Sequence, residues 1–106
     1  MTTGPLKKIF LILITILFTI PVLSDDKKDL GLEVFNNKAT CGTCHVLKTA
    51  GSTGNIGPNL DQLKPSMERI IYAVKNGIGV MQAWEGILTS GEIEAVAYYV
   101  FNSTNK

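Results

Sequence analysis

The sequence predicts a small domain made almost entirely of α-helices, and three observations support this prediction. Apolar residues recur at helical spacing in three segments, which carry residues typical of helix starts and ends. Stretches rich in Gly, Pro and Asn separate these segments. After residue 24, no run alternates apolar and polar residues as a half-buried strand would. We therefore expect an all-α fold with three main helices.

The first helix is predicted from about Asp26 to Asn37. Its apolar residues Leu30, Val34 and Phe35 fall on one face, and Asp25 or Asp26 is suited to cap its start. Residues 49–59, rich in Gly, Ser, Thr and Asn, form a loop by composition, and a short helical turn can follow at residues 60–63.

The other two helices have clear boundary signals. The second is predicted to begin after Ser66, a favourable N-cap, and to end at the pair Asn76-Gly77. The third begins with the capping box of Thr89 and Glu92 and runs to about Asn102. Both carry an apolar stripe that predicts the core: Met67, Ile70, Ile71 and Val74 in the second helix, and Ile93, Val96, Ala97 and Val100 in the third.

Residues 1–24 have the layout of a secretory signal peptide. Lys7 and Lys8 precede an apolar run that reaches Ile20, and we expect cleavage after Ser24. The alternative is an uncleaved membrane anchor, but residues 9–23 would span only about 22 Å of a bilayer core of about 30 Å. In both cases the basic residues before the apolar run place the remaining chain outside the cytoplasm. We therefore expect residues 25–106 to form one exported domain.

The composition of this domain excludes two classes of protein. Its eight basic and nine acidic side chains lack the strong positive charge of a nucleic-acid-binding protein. The whole chain is 45% apolar, which a disordered tail would not be. Because so small a domain buries a limited core, it often needs a covalent cross-link or a bound metal for stability. The two cysteines are the candidates to provide one.

Both cysteines lie in the pentapeptide Cys41-Gly42-Thr43-Cys44-His45, which also holds the only histidine of the sequence. A disulfide between them would close a very small loop and stabilise the fold little. A thioredoxin-like redox pair would need flanking strands, and a zinc site would need carboxylates or a second chain for its other ligands. The fourth interpretation is covalent haem attachment, for which two such cysteines followed by His are the known signature. Thioethers to a haem would also explain how an exported chain keeps two thiols without a disulfide, so we favour this interpretation.

Further motifs stand on both sides of the pentapeptide, from Gly31 to Val100. In order, the motifs are Gly31-x-x-x-Phe35, Cys41-x-x-Cys44-His45, Gly57-Pro58-Asn59-Leu60, Asn76-Gly77, Met81-x-Ala83-Trp84, Leu88-Thr89-x-x-Glu92-Ile93 and Ala97-x-Tyr99-Val100. This series resembles the class I c-type cytochromes, which are small monohaem electron carriers. The resemblance implies the small cytochrome c fold, with three main helices around one haem c. It also implies that the first and last helices cross at Gly31.

The resemblance assigns the cofactor contacts residue by residue. Cys41 and Cys44 would form the thioethers, and His45 would be one iron ligand. The family uses the carbonyl of the Pro in Gly-Pro, here Pro58, to accept a hydrogen bond from the ring of that His, although the pair could also be a simple loop breaker. Trp84 would contact the haem or one of its propionates, or would merely fill the core.

The second iron ligand is expected to be a methionine. Met67 belongs to the apolar stripe of a helix, where Met usually fills the core, whereas Met81 follows two glycines in an irregular loop. The family's methionine ligand falls at the position of Met81, which we therefore expect to bind the iron. The family usually has Pro directly after this Met. Here Gln82 stands instead, and we expect a more labile bond between sulfur and iron.

With two protein ligands on the iron, no substrate has a place to bind. The resemblance therefore implies electron transfer between Fe(II) and Fe(III) rather than an enzyme. We expect a monomeric periplasmic carrier whose partners are redox proteins, with no nucleic acid, and with the membrane only if residues 1–24 are retained. The alternatives are a dedicated haem c subunit of an exported oxidoreductase, a haem enzyme or gas sensor with an open sixth position, and a thiol or zinc module without haem.

Overall fold

The computed structural model describes residues 23–106, which are mostly helical. The α-helices are α1 (Leu23–Glu33), α2 (Leu60–Leu63), α3 (Met67–Asn76) and α4 (Ser90–Thr104). A π-helical turn, Val34–Lys38, continues α1, and 3₁₀ turns lie at Cys41–Thr43 and Lys48–Ala50. The predicted all-α class, the three main helices and the short turn at residues 60–63 are therefore confirmed.

The leader prediction concerns residues 1–24, of which residues 1–22 lie outside the described residues. From residue 23 onwards, no helix is both long enough and apolar enough to cross a membrane.

The most extensive contact between helices joins α1 and α4. They cross at Gly31, where an added Cβ atom would lie 2.2 Å from the carbonyl oxygen of Ala95 and 2.5 Å from the Cβ atom of Tyr99. The rings of Phe35 and Tyr99 pack beside this crossing with their centroids 6.2 Å apart. Only a residue without a side chain fits at position 31, so the crossing implied by the family resemblance is confirmed.

The core lies between α1, α3 and α4. In the predicted stripes, Ile70, Val74, Ile93, Val96, Ala97 and Val100 are buried, and Met67 and Ile71 are half-buried against them. Val34 and Phe35 are fully buried, but Leu30 is 38% exposed, so its predicted place on the inner face was wrong. Successive helical residues are about 100° apart, and a face centred on Gly31 and Phe35 therefore leaves Leu30 on its flank.

The helix ends follow local chemistry. The Ser66 hydroxyl accepts a hydrogen bond from the Arg69 backbone N–H, and Gly77 ends α3 with a positive φ of 73°. Thr89 and Glu92 form the complete capping box of α4. Because α1 begins at Leu23, Asp25 and Asp26 lie in its first turn rather than at the cap, which corrects the predicted start. Their carboxylates still favour a helix N-terminus electrostatically.

A short β-hairpin follows the cysteine–histidine pentapeptide, and its second strand lies within residues 49–59, which the sequence predicted as a loop. Strand β1 (Val46–Leu47) pairs antiparallel with β2 (Ser52–Thr53), with Leu47 opposite Ser52. Gly51 ends the connecting 3₁₀ turn in the left-handed conformation, with φ of 70°. Strands of two residues are too short to show an alternating pattern, so no sequence signal predicted them.

Candidate functional site

The pentapeptide Cys41–His45 forms one tight turn after α1. The carbonyl oxygen of Cys41 accepts hydrogen bonds from the backbone N–H of Cys44 at 3.1 Å and of His45 at 3.0 Å. The preceding residue, Thr40, adopts the left-handed conformation with φ of 47°, which is unusual for a β-branched residue. The turn thus brings both cysteines and the histidine into a single helical turn.

The two thiols are free and half-buried, and they form no disulfide with each other. Burial raises the pKa of the Cys41 thiol to about 11, so this group is protonated at neutral pH. Between residues 23 and 106, no three Cys, His, Asp or Glu side chains gather closely enough to hold a metal ion. In the described chain both thiols are therefore available for a covalent bond to another group.

The imidazole of His45 is held by the segment Gly57-Pro58. Its Nδ1 atom lies 2.8 Å from the carbonyl oxygen of Pro58. A carbonyl only accepts, so Nδ1 carries the proton and donates, which leaves the lone pair on Nε2 for another partner. Gly57 lies against the ring, because a Cβ atom there would be 2.5 Å from Cε1 and 2.9 Å from Nδ1 of His45. The structure thus places Pro58 where the family resemblance expects the acceptor.

The loop that contains Gly57 is also tied to the backbone of the motif. The N–H of Gly57 donates to the carbonyl of Cys44 at 2.7 Å, and the N–H of Gly54 donates to that of Gly42 at 3.2 Å. A Cβ atom at Gly54 would lie 2.4 Å from the carbonyl oxygen of Thr43. Residues 54–57 therefore run directly along the pentapeptide.

Met81 lies in a tight loop that is hydrogen-bonded to the end of α3. Its N–H donates to the carbonyl of Ile78 at 2.9 Å, and the N–H of Ile78 donates back to the carbonyl of Met81 at 3.1 Å. A Cβ atom at Gly77 would lie 2.5 Å from the Met81 carbonyl oxygen, so glycine is needed there for space as well as for its positive φ. The N–H of Trp84 donates to the carbonyl of Val74 at 2.8 Å, which satisfies a carbonyl at the end of α3.

The other candidates differ in how far the structure supports them. Met67 and Met81 are both half-buried against the core, so burial does not distinguish the two thioethers. Met67 is the first residue of α3 and shares its apolar stripe, as expected of core filler. Trp84 also packs against the core. Gln82 is exposed, and within residues 23–106 its backbone N–H donates to no other backbone group.

The donor set suits a covalently bound haem. It offers two free thiols in one helical turn, an imidazole whose Nδ1 is occupied and whose Nε2 has its lone pair, and a thioether in a fixed loop. Sulfur and imidazole are the usual protein groups on a haem and its iron. The loops of Gly57 and Met81 also expose apolar side chains, Ile56, Ile78 and Val80, as a porphyrin's surroundings require.

Sequence reasoning missed several residues that hold this site together. The Ser52 hydroxyl bonds the carbonyl of His45, and the Asp61 carboxylate accepts from the N–H of Lys48 at 2.8 Å. The hydroxyls of Thr49 and Tyr99 lie 2.9 Å apart. Asn59 caps α2 by accepting from the N–H of Gln62, and an Asn three residues before a Gln was a readable capping signal.

Comparisons with known proteins identify the family of the chain. The family model described as cytochrome C oxidase, cbb3-type, subunit III matches residues 26–100. The chloroplastic cytochrome c6 of Chlamydomonas reinhardtii is 35% identical over 92% of this chain and 70% of its own. Cytochrome c6 of Tetradesmus obliquus is 36% identical over 73% of this chain and 93% of its own.

A solved structure of a c-type cytochrome shares the fold of this chain. The c-type cytochrome SorU from Sinorhizobium meliloti is 50% identical and superposes with a TM-score of 0.72, covering 77% of this chain and 95% of its own. The cytochrome c6 relatives favour an electron carrier over the alternative of a dedicated oxidoreductase subunit. The chain belongs to the class I c-type cytochromes: it is a small electron-transfer protein, not an enzyme, that exchanges electrons with redox partners and carries covalently bound haem c with its iron.

Proposed function

We propose that Cys41 and Cys44 attach the haem, that His45 and Met81 ligate its iron, and that residues 25–106 act as a free exported electron carrier. The observation that supports this best is the imidazole of His45, whose Nδ1 is bonded to Pro58 in the same turn that carries both thiols. When bound, the haem iron supplies a one-electron couple between Fe(II) and Fe(III).

Each residue has a separate task in this proposal. The bond from Nδ1 of His45 to Pro58 orients the ring and makes Nε2 a better electron donor. The thioether of Met81 favours the reduced iron and so raises the reduction potential relative to harder ligands. The loop bonds to Ile78 and the contact with Gly77 hold the backbone of Met81 in place, so its thioether would be kept available as the second protein ligand of the iron. With two such ligands the iron would offer small molecules no free position, unlike in a haem enzyme or gas sensor.

The proposed location and assembly rest on the sequence. Lys7, Lys8 and the apolar run after them support export, with residues 1–24 as a signal peptide and the mature chain in the periplasm. We propose a monomer that meets its redox partners through brief contacts, since redox encounters use interfaces smaller than about 1,200 Å². The mass of the exported protein tests the cleavage, because removal after Ser24 leaves a chain that begins at Asp25.

Covalent attachment is tested by haem retention in a denatured sample of the periplasmically expressed protein. The wild-type chain should keep its haem through acid–acetone extraction and a denaturing gel. The Cys41→Ala/Cys44→Ala double variant should lose it. Each single variant should retain a haem joined by one thioether, with altered reduced absorption bands. A colourless wild-type product, or a haem that is extracted from it, would contradict the proposal.

A further inference from the structure

Ser52 contacts the pentapeptide at two separate points. It is the first residue of β2 and half-buried, and its hydroxyl donates to the carbonyl oxygen of His45 at 2.9 Å. Its Cβ atom also lies against Gly42, because a Cβ atom built on Gly42 would come within 2.5 Å of it. One side chain thus touches the motif both between the cysteines and at the histidine.

The Ser52 hydroxyl bridges the backbone on both sides of Val46. Its oxygen accepts a hydrogen bond from the N–H of Leu47 at 2.9 Å. A hydroxyl has a single proton, and the carbonyl of His45 at 2.9 Å is a closer acceptor than that of Leu47 at 3.3 Å. The chain leaving His45 is therefore fixed by a side chain, in addition to the pairing of β1 with β2.

His45 is consequently held at two ends by different groups. Pro58 fixes the ring through Nδ1, and Ser52 fixes the carbonyl of the same residue. The backbone of His45 is also held on its N–H side, by the 3.0 Å bond to the carbonyl of Cys41, and the bond from Ser52 adds an anchor on its carbonyl side. A histidine ligand keeps its ring at a constant angle to a metal when both the ring and the backbone are anchored, because a small shift of either displaces the ring.

We infer that Ser52 is a positioning residue for the iron ligand, which it orients through the backbone of His45. This inference rests on the proposed ligation of iron by His45. It predicts that removing the hydroxyl changes the orientation of the imidazole on the iron, an effect separate from any loss of overall stability.

The test compares Ser52→Ala and Ser52→Thr in the haem-loaded protein, with Tyr99→Phe as the matched control. The control also removes a half-buried hydrogen bond between two hydroxyls, those of Tyr99 and Thr49, but neither residue belongs to the pentapeptide. The readout is the NMR spectrum of the oxidised protein, in which protons of an iron-bound ring are displaced far from their usual positions. Thermal unfolding of all variants is recorded alongside.

We expect Ser52→Ala to shift the displaced ring-proton resonances of His45. Ser52→Thr keeps the hydroxyl and should leave these resonances at their wild-type positions. Tyr99→Phe should lower the unfolding temperature and leave those resonances in place. Should Ser52→Ala not fold, Ser52→Val against Ser52→Thr gives the same comparison between two side chains of equal shape.

Unchanged His45 resonances in Ser52→Ala, or in Ser52→Val, would overturn the inference alone and leave Ser52 as an ordinary stabilising residue. A wild-type spectrum without displaced His45 resonances would overturn both the ligand assignment and this inference. The two failures are therefore distinguishable.

Discussion

Gly57→Ala should disturb the site more than its small size suggests. The new methyl group would lie 2.5 Å from Cε1, 2.9 Å from Nδ1 and 3.1 Å from Nε2 of the His45 ring. Ordinary contact begins at 3.4 Å, so the ring and residue 57 must separate by about 0.9 Å. The neighbouring bond from Nδ1 to Pro58 is 2.8 Å long, and a lengthening of about 0.9 Å would take it beyond hydrogen-bond range.

The expected loss of stability combines two effects. A lost hydrogen bond costs about 0.5–1.5 kcal/mol, and overpacking costs about 1–3 kcal/mol. We expect the free energy of unfolding to fall by about 1.5–4.5 kcal/mol. Since about 1 kcal/mol corresponds to roughly 4–8 °C in a domain of this size, the unfolding temperature should drop by at least about 6 °C.

The assay is thermal and denaturant unfolding of the oxidised holoprotein, with Gly91→Ala as the control. Gly91 is exposed in the first turn of α4, and a Cβ atom there would meet nothing closer than 3.9 Å. Because Ala favours helix over Gly by up to about 1 kcal/mol, the control should be neutral or slightly more stable. If Gly57→Ala unfolds like the wild type, the ring of His45 is not confined as described.

Three further predictions concern the helix crossing, the Met81 loop and an ion pair. Gly31→Ala places a methyl group 2.2 Å from the Ala95 carbonyl oxygen, so denaturant unfolding should show a loss of about 3 kcal/mol, the upper end of what overpacking costs; a loss below about 1 kcal/mol would contradict the close crossing. Gln82→Pro removes no backbone hydrogen bond of the described chain and stiffens the loop, so added imidazole should displace Met81 more slowly than in the wild type, and equal rates would refute this. The pKa of Glu92 lies below its usual value, chiefly because Lys38 donates a hydrogen bond to its carboxylate and, to a lesser extent, because the Thr89 backbone does so. The ionised form of Glu92 therefore stabilises the fold above about pH 4.5, and this contribution is lost as the pH falls through the folded pKa. Acid titration of Glu92→Gln should accordingly show a stability deficit at neutral pH that vanishes in acid; a constant deficit would contradict the ion pair.

The features that sequence reasoning predicted correctly depend on residues close together in the chain. Ser66 caps α3 through the N–H three residues later, and the box of Thr89 and Glu92 likewise spans three residues. Asn76-Gly77 ends α3 through the conformational freedom of glycine. Such signals act within one helical turn, so they can be read without knowing the tertiary fold.

Several of the features that it missed join residues far apart in the sequence. The ion pair of Lys38 with Glu92 spans 54 positions, and the bond of Thr49 to Tyr99 spans 50. No local pattern predicts such pairs, because tertiary packing against α4 brings the two residues of each pair together. The contact of Ser52 with the pentapeptide likewise depends on a hairpin whose strands have only two residues each.

The residues that would bind the cofactor were predictable from the sequence, but most of the residues that hold them in place were not. The pentapeptide and its histidine were clear because they form a short motif with a known chemical use. The place of Pro58 was expected from the family resemblance, and the structure puts its carbonyl 2.8 Å from the ring. That Gly57 must lack a side chain to admit the ring could be learned only from the three-dimensional arrangement.

The identity of the second iron ligand tests the proposed electron carrier most directly. Sulfur bound to Fe(III) haem gives a weak near-infrared charge-transfer band, which is absent when the sulfur leaves. The measurement is this band in the oxidised wild type, in Met81→Ala and in the matched control Met67→Ala. We predict that the wild type and Met67→Ala show the band and that Met81→Ala has lost it. A band that persists in Met81→Ala, or that disappears in Met67→Ala, would contradict the ligation on which the proposed function depends.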